Sequence, residues 1–300
     1  MENIITNALP LNETRNKQIA ALCRRYSFIS SFPIGKSVLG RPITVLRVGN
    51  SSQPVLYTGA FHAQEWLTAV LLLRFAEQLC IALDENRHIA EVDCRRAMLD
   101  HGLVIVPCVN PDGVELVLSG TDSAGILADE VRHISRGDLS DWNANARGVD
   151  LNRNYDAGWH ISRQLEHSLG IDAPAPRRYG GSAPHSEPET QAMVRLCRQM
   201  NFRSVFAFHS QGEEIYWKYG EHTPARSALM AKVLAASCGY TAAQPEDIAS
   251  HAGFKDWFIE KYRRPGFTIE VGKGTNPLPI EEVCTIYERI EEMMMLGVVI

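Results

Sequence analysis

The sequence predicts one α/β domain, with helices on both faces of a largely parallel or mixed sheet. Three observations carry that prediction. Strand-like runs alternate with helix-period segments, with no linker or shift of composition between them. Residues 103–109 form a continuous apolar run, as suits a strand covered on both faces. With 300 residues, 45% of them hydrophobic, the chain can bury a full core, and a charged content of 22% is ordinary for a folded protein.

Each element follows from the local pattern. Residues 13–26 read as a helix with Asn12 as its N-cap. That helix belongs to a lead-in, residues 1–40, expected to pack on a main domain of residues 41–300. A first strand is expected at 43–48, stopped by Gly49-Asn50-Ser51-Ser52, and a second at 54–61 runs directly into His62. Helical spacing of apolar residues predicts a long, mostly buried helix over 65–83. The run at 103–109 ends at Asn110-Pro111-Asp112-Gly113, a turn signal. Residues 119–158 are polar, rich in Gly and Asp and aperiodic, so they read as one long loop of functional character. A helix at 187–200 and a strand at 204–208 ending on His209 come next. A strand at 214–219, helices at 224–238 and 253–262, a strand at 266–271 carrying Glu270 and a helix at 280–295 complete the chain.

Composition excludes several classes. Thirty basic against 35 acidic residues leave a net charge of −5, which argues against a nucleic-acid or anionic-membrane partner. The longest apolar run, Ala69 to Leu73, is broken by Arg74 and is far too short to span a bilayer. The N-terminus has neither a basic start nor an apolar h-region, so a cytoplasmic location is expected. Seven cysteines, odd in number and never spaced as CxxC, read as reduced thiols rather than metal ligands.

Three predicted strands end on metal-competent residues, His62, His209 and Glu270. Ligands of open α/β sheets bind outside the carboxyl ends of strands, so the three can share one site. His62-Ala63-Gln64-Glu65 places an imidazole and a carboxylate three residues apart at a strand-to-helix corner. Zinc in catalytic sites takes three such protein ligands and keeps a fourth position open. The spacing alone also suits a buried His beside a helix N-terminal Glu, favoured by the helix dipole. A second match, His88-Ile89-Ala90-Glu91, follows no strand and reads as a solvated, helical surface.

Six blocks, taken in order, resemble the zinc metallocarboxypeptidase family. They are Gly59 to Trp66, Asn110-Pro111-Asp112-Gly113, Gly148 to Asn154, Ser186-Glu187-Pro188-Glu189, His209-Ser210 and Phe267-Thr268-Ile269-Glu270. The resemblance implies an α/β/α sandwich around a mixed, mostly eight-stranded sheet. It implies one zinc ion held by His62, Glu65 and His209, lowering the pKa of a bound water and polarising the scissile carbonyl. Glu270 would be the general base, taking the water's proton and handing it to the leaving amine. Asn152 and Arg153 match the pair that grips a substrate carboxylate, for which a guanidinium fork is suited. A structural pairing of Arg153 with Asp150 or Asp156 is the alternative.

The pattern departs from the family at two positions. Many members carry Arg directly after a Trp in the loop before the Gly-Val-Asp block, where it steadies the developing oxyanion. Here Trp142 is followed by the neutral Asn143, and one lost oxyanion donor typically costs ~10²–10³ in rate. Arg147 is the nearby cation available to substitute. The aromatic hydroxyl that many carboxypeptidases close over substrate is replaced by Ile248. Lys255 stands where the family sets the character of the side-chain pocket, and a cation there favours an acidic side chain. A solvent-facing Lys on a helix is its plainer reading.

Residues 255–259 and 272–279 look like the bacterial γ-D-glutamyl-meso-diaminopimelate peptidases of this family. That resemblance implies hydrolysis of the γ-D-glutamyl–diaminopimelate bond in cell-wall stem peptides, with Arg153, Lys255 and Lys273 suited to the substrate's extra carboxylates. LysM wall-binding repeats, common in that subgroup, have no counterpart here, so the expected substrate is a small soluble muropeptide. Three other readings remain open: a general metallocarboxypeptidase, a deacylase of N-acyl amino acids, and a catalytically weak muropeptide-binding protein.

Overall fold

The computed structural model describes residues 3–49, 52–244 and 251–300. In chain order come α1 (Asn12–Arg25), β1 (Ile29–Lys36), β2 (Pro42–Val48), β3 (Val55–Thr58), α2 (Leu67–Asp84), β4 (His88–Ile89), β5 (Val92–Asp93), α3 (Cys94–Asp100) and β6 (Leu103–Val106). There follow α4 (Pro111–Ser119), α5 (Ala128–Ser135), α6 (Trp159–Ser168), α7 (Pro188–Gln199), β7 (Ser204–His209) and β8 (Glu214–Tyr216). The last elements are α8 (Ser227–Cys238), β9 (Thr241–Ala243), α9 (Phe254–Tyr262), β10 (Gly266–Glu270) and α10 (Val283–Val299).

Eight strands form one mixed sheet in the order β1-β2-β6-β3-β7-β10-β8-β9. Its centre is parallel: β3 pairs with β6 and with β7, and β7 with β10. Antiparallel pairs flank that centre, β1 with β2, β2 with β6, and β8 with β10. β3 and β6 are buried along their whole length, which explains why their residues are apolar without alternation. One face packs on α2, α8 and α10 through Tyr57, Phe206, Phe208 and Phe267. The other packs on α7 and α9 through Leu56, Val104 and Val205. α10 lies so close that a Cβ at Gly297 would run into the Tyr57 hydroxyl and stand 3.1 Å from Phe206 Cζ. Only glycine fits there.

Several expectations are corrected. α1 begins at Asn12, with Leu11 at the N-cap and no side-chain cap. β1 was not foreseen. It is an edge strand that buries little beyond Ile29 and shifts register between Pro33 and Gly35, so it shows no period-2 signal. Because β1 lies within residues 1–40, that segment supplies a sheet strand as well as a helix. Asn110-Pro111-Asp112-Gly113 starts α4 rather than a turn: the Asn110 side chain accepts from Gly113 N at 2.9 Å, and Pro111 takes a first-turn position. Turns and helix N-termini draw on the same residues. Residues 119–158 hold α5 and two 3-10 turns, Thr121–Leu127 and Leu151–Arg153, and α6 follows unannounced. The stretch around His88 is a two-strand hairpin, not a helix, and His88 is exposed. The segment Ala63–Asp84 is long and apolar enough to cross a membrane, which its five-residue apolar run did not suggest; 83% of its most apolar window is buried in this fold.

Candidate active site

Parallel pairing brings three strand ends to one place. β3 ends at Thr58, and the chain turns at Ala60, whose φ of 48° is left-handed. Such a conformation costs a non-glycine residue about 1–3 kcal/mol. Ala60 N donates to Thr68 Oγ1 at 2.8 Å, and Asn110 Nδ2 donates to Phe61 O at 3.1 Å. His62 is thereby delivered to the start of a 3-10 turn, Ala63–Glu65, with Glu65 at its end. His209 closes β7 and stacks on the Phe61 ring. In the β7–β10 register Glu270 lies beside His209, and across β8 it lies beside Glu214.

His62 Nδ1 lies 2.8 Å from Glu65 Oε1, and His209 Nδ1 lies 2.8 Å from Glu65 Oε2. The two Nδ1 atoms are 3.3 Å apart. Ligand atoms of these three residues all fall within 4.8 Å of one another, and among the described residues they form the one His/Cys/Asp/Glu group able to share a metal ion. Two imidazole nitrogens and a carboxylate lining an open cleft make a donor set that zinc takes, with a position left over. Asp150 Oδ1 faces His62 Nε2 at 3.2 Å. A carboxylate on the far nitrogen fixes the ring's tautomer and orientation, so that the other nitrogen faces the ion.

Asp150 lies inside the Gly148–Asn154 block, yet nothing in the sequence marks it as the partner of His62. Its other oxygen accepts from Arg178 N at 3.1 Å, and Arg153 Nε lies 3.9 Å away. Electrostatics follow this geometry. Burial alone would raise the Glu65 carboxyl, but His62 and His209 hold it down to about 2. Burial likewise opposes the ionised Asp150, yet His62 and Arg153 keep it well below the usual carboxylate range. His62 is held well above its usual value, because Glu65 and Asp150 outweigh burial. Glu270 moves the other way. Burial first, then Glu65 and Glu214, push it well above the ordinary carboxylate range, with His62 opposing.

These residues line a cleft of about 480 Å³. Asn152, Arg153 and Lys255 line it too. The Asn152 side chain accepts from Phe254 N at 3.0 Å, tying the 3-10 turn Leu151–Arg153 to the start of α9. Arg153 Nη1 reaches Ser162 Oγ at 3.4 Å. Lys255 is not solvent-facing: it is 5% exposed, with Nζ 2.5 Å from Asp256 Oδ1 and 2.9 Å from Lys218 O. Lys273 is outside the cleft lining and pairs with Glu213 at 2.9 Å. Asn143 lines the cleft; Arg147 does not, being half exposed and 3.7 Å from Glu187. Ile248 lies outside the described residues. Arg177 and Arg178, which also line the cleft, had no signal in the sequence beyond being a basic pair.

The model of the zinc carboxypeptidase family matches residues 16–293. Gamma-D-glutamyl-L-diamino acid endopeptidase 1 of Lysinibacillus sphaericus is 39% identical over 293 residues, covering 97% of this chain and 71% of that protein. Protein YqgT of Bacillus subtilis (strain 168) is 38% identical over 275 residues, covering 90% of this chain and 72% of its own. Among solved structures, bovine thrombin-activatable fibrinolysis inhibitor in complex with tick carboxypeptidase inhibitor superposes with a TM-score of 0.76 at 18% identity, covering 97% of each chain.

Proposed function

Since the chain belongs to the zinc carboxypeptidase family, and is a zinc metallopeptidase by that membership, we propose that it hydrolyses the γ-D-glutamyl–meso-diaminopimelate bond of cell-wall stem peptides. The observation that carries the proposal is Lys255, a cation buried inside the cleft that holds the metal-binding group. A buried lysine needs an anion, and Asp256 at 2.5 Å supplies one. Lys255 and Asp256 together present both charges side by side. The distal end of meso-diaminopimelate carries an ammonium and a carboxylate on one carbon, and this pair complements both. A plain aliphatic or aromatic C-terminal residue would leave the pair without a match. The name of the Lysinibacillus relative, a γ-D-glutamyl-L-diamino acid endopeptidase, supports the same linkage.

Zinc would be held by His62, Glu65 and His209, and when bound it supplies Lewis-acid polarisation of the scissile carbonyl and a lowered pKa for water there. Glu270, at the end of β10 beside His209, takes the proton of the attacking water. A carboxylate whose basicity is raised by burial is suited to that step, and it then returns the proton to the leaving amine. Asp150 keeps the His62 ring oriented. Asn152 and Arg153 meet the carboxylate adjoining the released amine, Arg153 as a charged donor and Asn152 as a neutral one. Asn143, which lines the cleft, would offer the oxyanion a neutral amide donor where many family members carry a cation.

The test is mass spectrometry of L-Ala-γ-D-Glu-meso-diaminopimelate after incubation with the zinc-loaded protein. Release of free diaminopimelate that a chelator abolishes supports the proposal. An intact tripeptide beside a verified zinc complement would overturn it.

A further inference from the structure

Among the described residues, one cation lining the cleft has no carboxylate partner. Lys255 is paired with Asp256, and Arg177 Nη1 with Asp141 Oδ1 at 3.1 Å. Arg153 lies near Asp150 and Ser162. Arg178 is different. It lines the cleft on the exposed side, and no carboxylate among the described residues pairs with its guanidinium. Its main chain, in contrast, is closely held. Arg178 N donates to Asp150 Oδ2 at 3.1 Å, and Asp150 N donates to the neighbouring Tyr179 O at 2.8 Å. Its φ of 69° is left-handed, a conformation an arginine keeps only when its surroundings impose it. One carboxylate therefore fixes both the His62 ring and the base of the Arg178 side chain.

The wall that carries Arg178 is distinct from the one that carries Lys255. Asn143 N and Ala144 N both donate to Pro176 O, at 2.8 and 3.0 Å, so residues 176–178 are tied to the Asn143 loop. Lys255 sits on α9 and is held by Lys218 O. A γ-linked D-glutamyl substrate has carboxylates on both sides of the scissile amide. Those of the leaving residue are met by Arg153 and Lys255, while the α-carboxylate of the glutamyl residue branches off on the acyl side. Resting on the functional reading above, we propose that Arg178 is a specificity-determining residue that binds this α-carboxylate and so favours a free D-glutamate over its amidated form. A guanidinium forks onto a carboxylate through two charge-assisted bonds, whereas a carboxamide offers one neutral acceptor.

The experiment compares L-Ala-γ-D-Glu-meso-diaminopimelate with the same tripeptide carrying an α-carboxamide, measuring kcat/KM for the zinc-loaded parent, Arg178→Gln and Arg178→Lys. The parent is expected to prefer the acid by about tenfold or more, as loss of a charged hydrogen-bond partner implies. The preference falls to within about twofold in Arg178→Gln and is partly retained in Arg178→Lys. The exposed position makes misfolding a small concern, and a thermal melt of each variant checks it. A parent that treats acid and amide alike overturns the inference, as does an Arg178→Gln variant that keeps the parental preference. If the parent cleaves neither peptide, the functional reading itself falls.

Discussion

His62, Glu65, His209 and Glu270 stand on the ends of parallel strands or on the single turn that follows one, and the sheet register decides their neighbours. Asn143, Arg177 and Arg178 stand on two loop segments joined to each other by hydrogen bonds to Pro176. Both regions line one cleft, yet they are built on different terms. On the floor Glu65 and His209 are buried and His62 and Glu270 half-buried, and the charges of His62, Glu65, His209 and Asp150 are matched within a few ångströms. The wall exposes its arginines to solvent. The difference teaches a division of labour: the floor sets what reaction occurs, and the wall sets which substrate is admitted. Asp150 joins the two, with one oxygen on His62 and the other on Arg178 N.

That division can be broken from the floor first. Glu270→Gln is expected to lower kcat by about 10²–10⁴-fold, the usual worth of a general base. Zinc content by atomic absorption should stay at one per chain. A variant as fast as the parent would remove Glu270 from the chemistry. Loss of zinc with the activity would make it a ligand instead.

The link between floor and wall comes next. Asp150→Asn keeps the side chain's shape but removes the carboxylate behind His62, and should weaken zinc binding about 10–100-fold. Competition with a chromophoric chelator reads this directly. Unchanged affinity would mean that the hydrogen bond to His62 is incidental.

A third change separates fold from specificity on α9. Lys255→Met leaves Asp256 buried without its cation, and breaking a buried pair costs about 3–5 kcal/mol. Adding Asp256→Asn should recover most of that stability in urea unfolding without recovering cleavage. Recovery of both would show that the pair is structural only.

A fourth change lies away from the cleft. Glu189 is fully buried, bonded to Val38 N at 3.0 Å and Asn145 Nδ2 at 3.3 Å. Burial, with Asp112 and Glu187 adding to it, pushes its carboxyl up to about 8 against backbone bonds that favour ionisation. The folded protein holds this proton more tightly than the unfolded chain does. Its stabilising contribution is therefore full below about pH 4 and is lost as pH rises through 8, a change on the order of a few kcal/mol. Glu189→Gln should flatten that part of a melting-temperature profile. Parallel profiles for parent and variant would contradict it.

How much of this was legible in the sequence follows the same floor-and-wall line. His62, Glu65, His209 and Glu270 could be picked out because each ends an apolar run inside a motif, and the strands that carry them pair directly. The parallel centre of the sheet was legible for the same reason, its strands being apolar along their whole length. Asp150 was visible as an alternative partner of Arg153 but not of His62, since the contact with His62 spans 88 positions of chain and depends on how the 3-10 turn docks. Nothing in an exposed Arg-Arg pair distinguishes a cleft from open surface. β1 escaped because an edge strand that buries little has no reason to alternate. The long region 119–158 shows no helical period because α5 is brief and mostly solvated, with only Val131 and Ser135 buried.

The central claim is that this cleft selects a γ-linked acidic peptide, and a competition assay tests it most directly. Equimolar L-Ala-γ-D-Glu-meso-diaminopimelate and its α-linked isomer are incubated together with the zinc-loaded protein, and both are followed by mass spectrometry. The account predicts that the γ-linked peptide is consumed first, by about tenfold or more in kcat/KM. Equal consumption, or faster loss of the α-linked isomer, would contradict it.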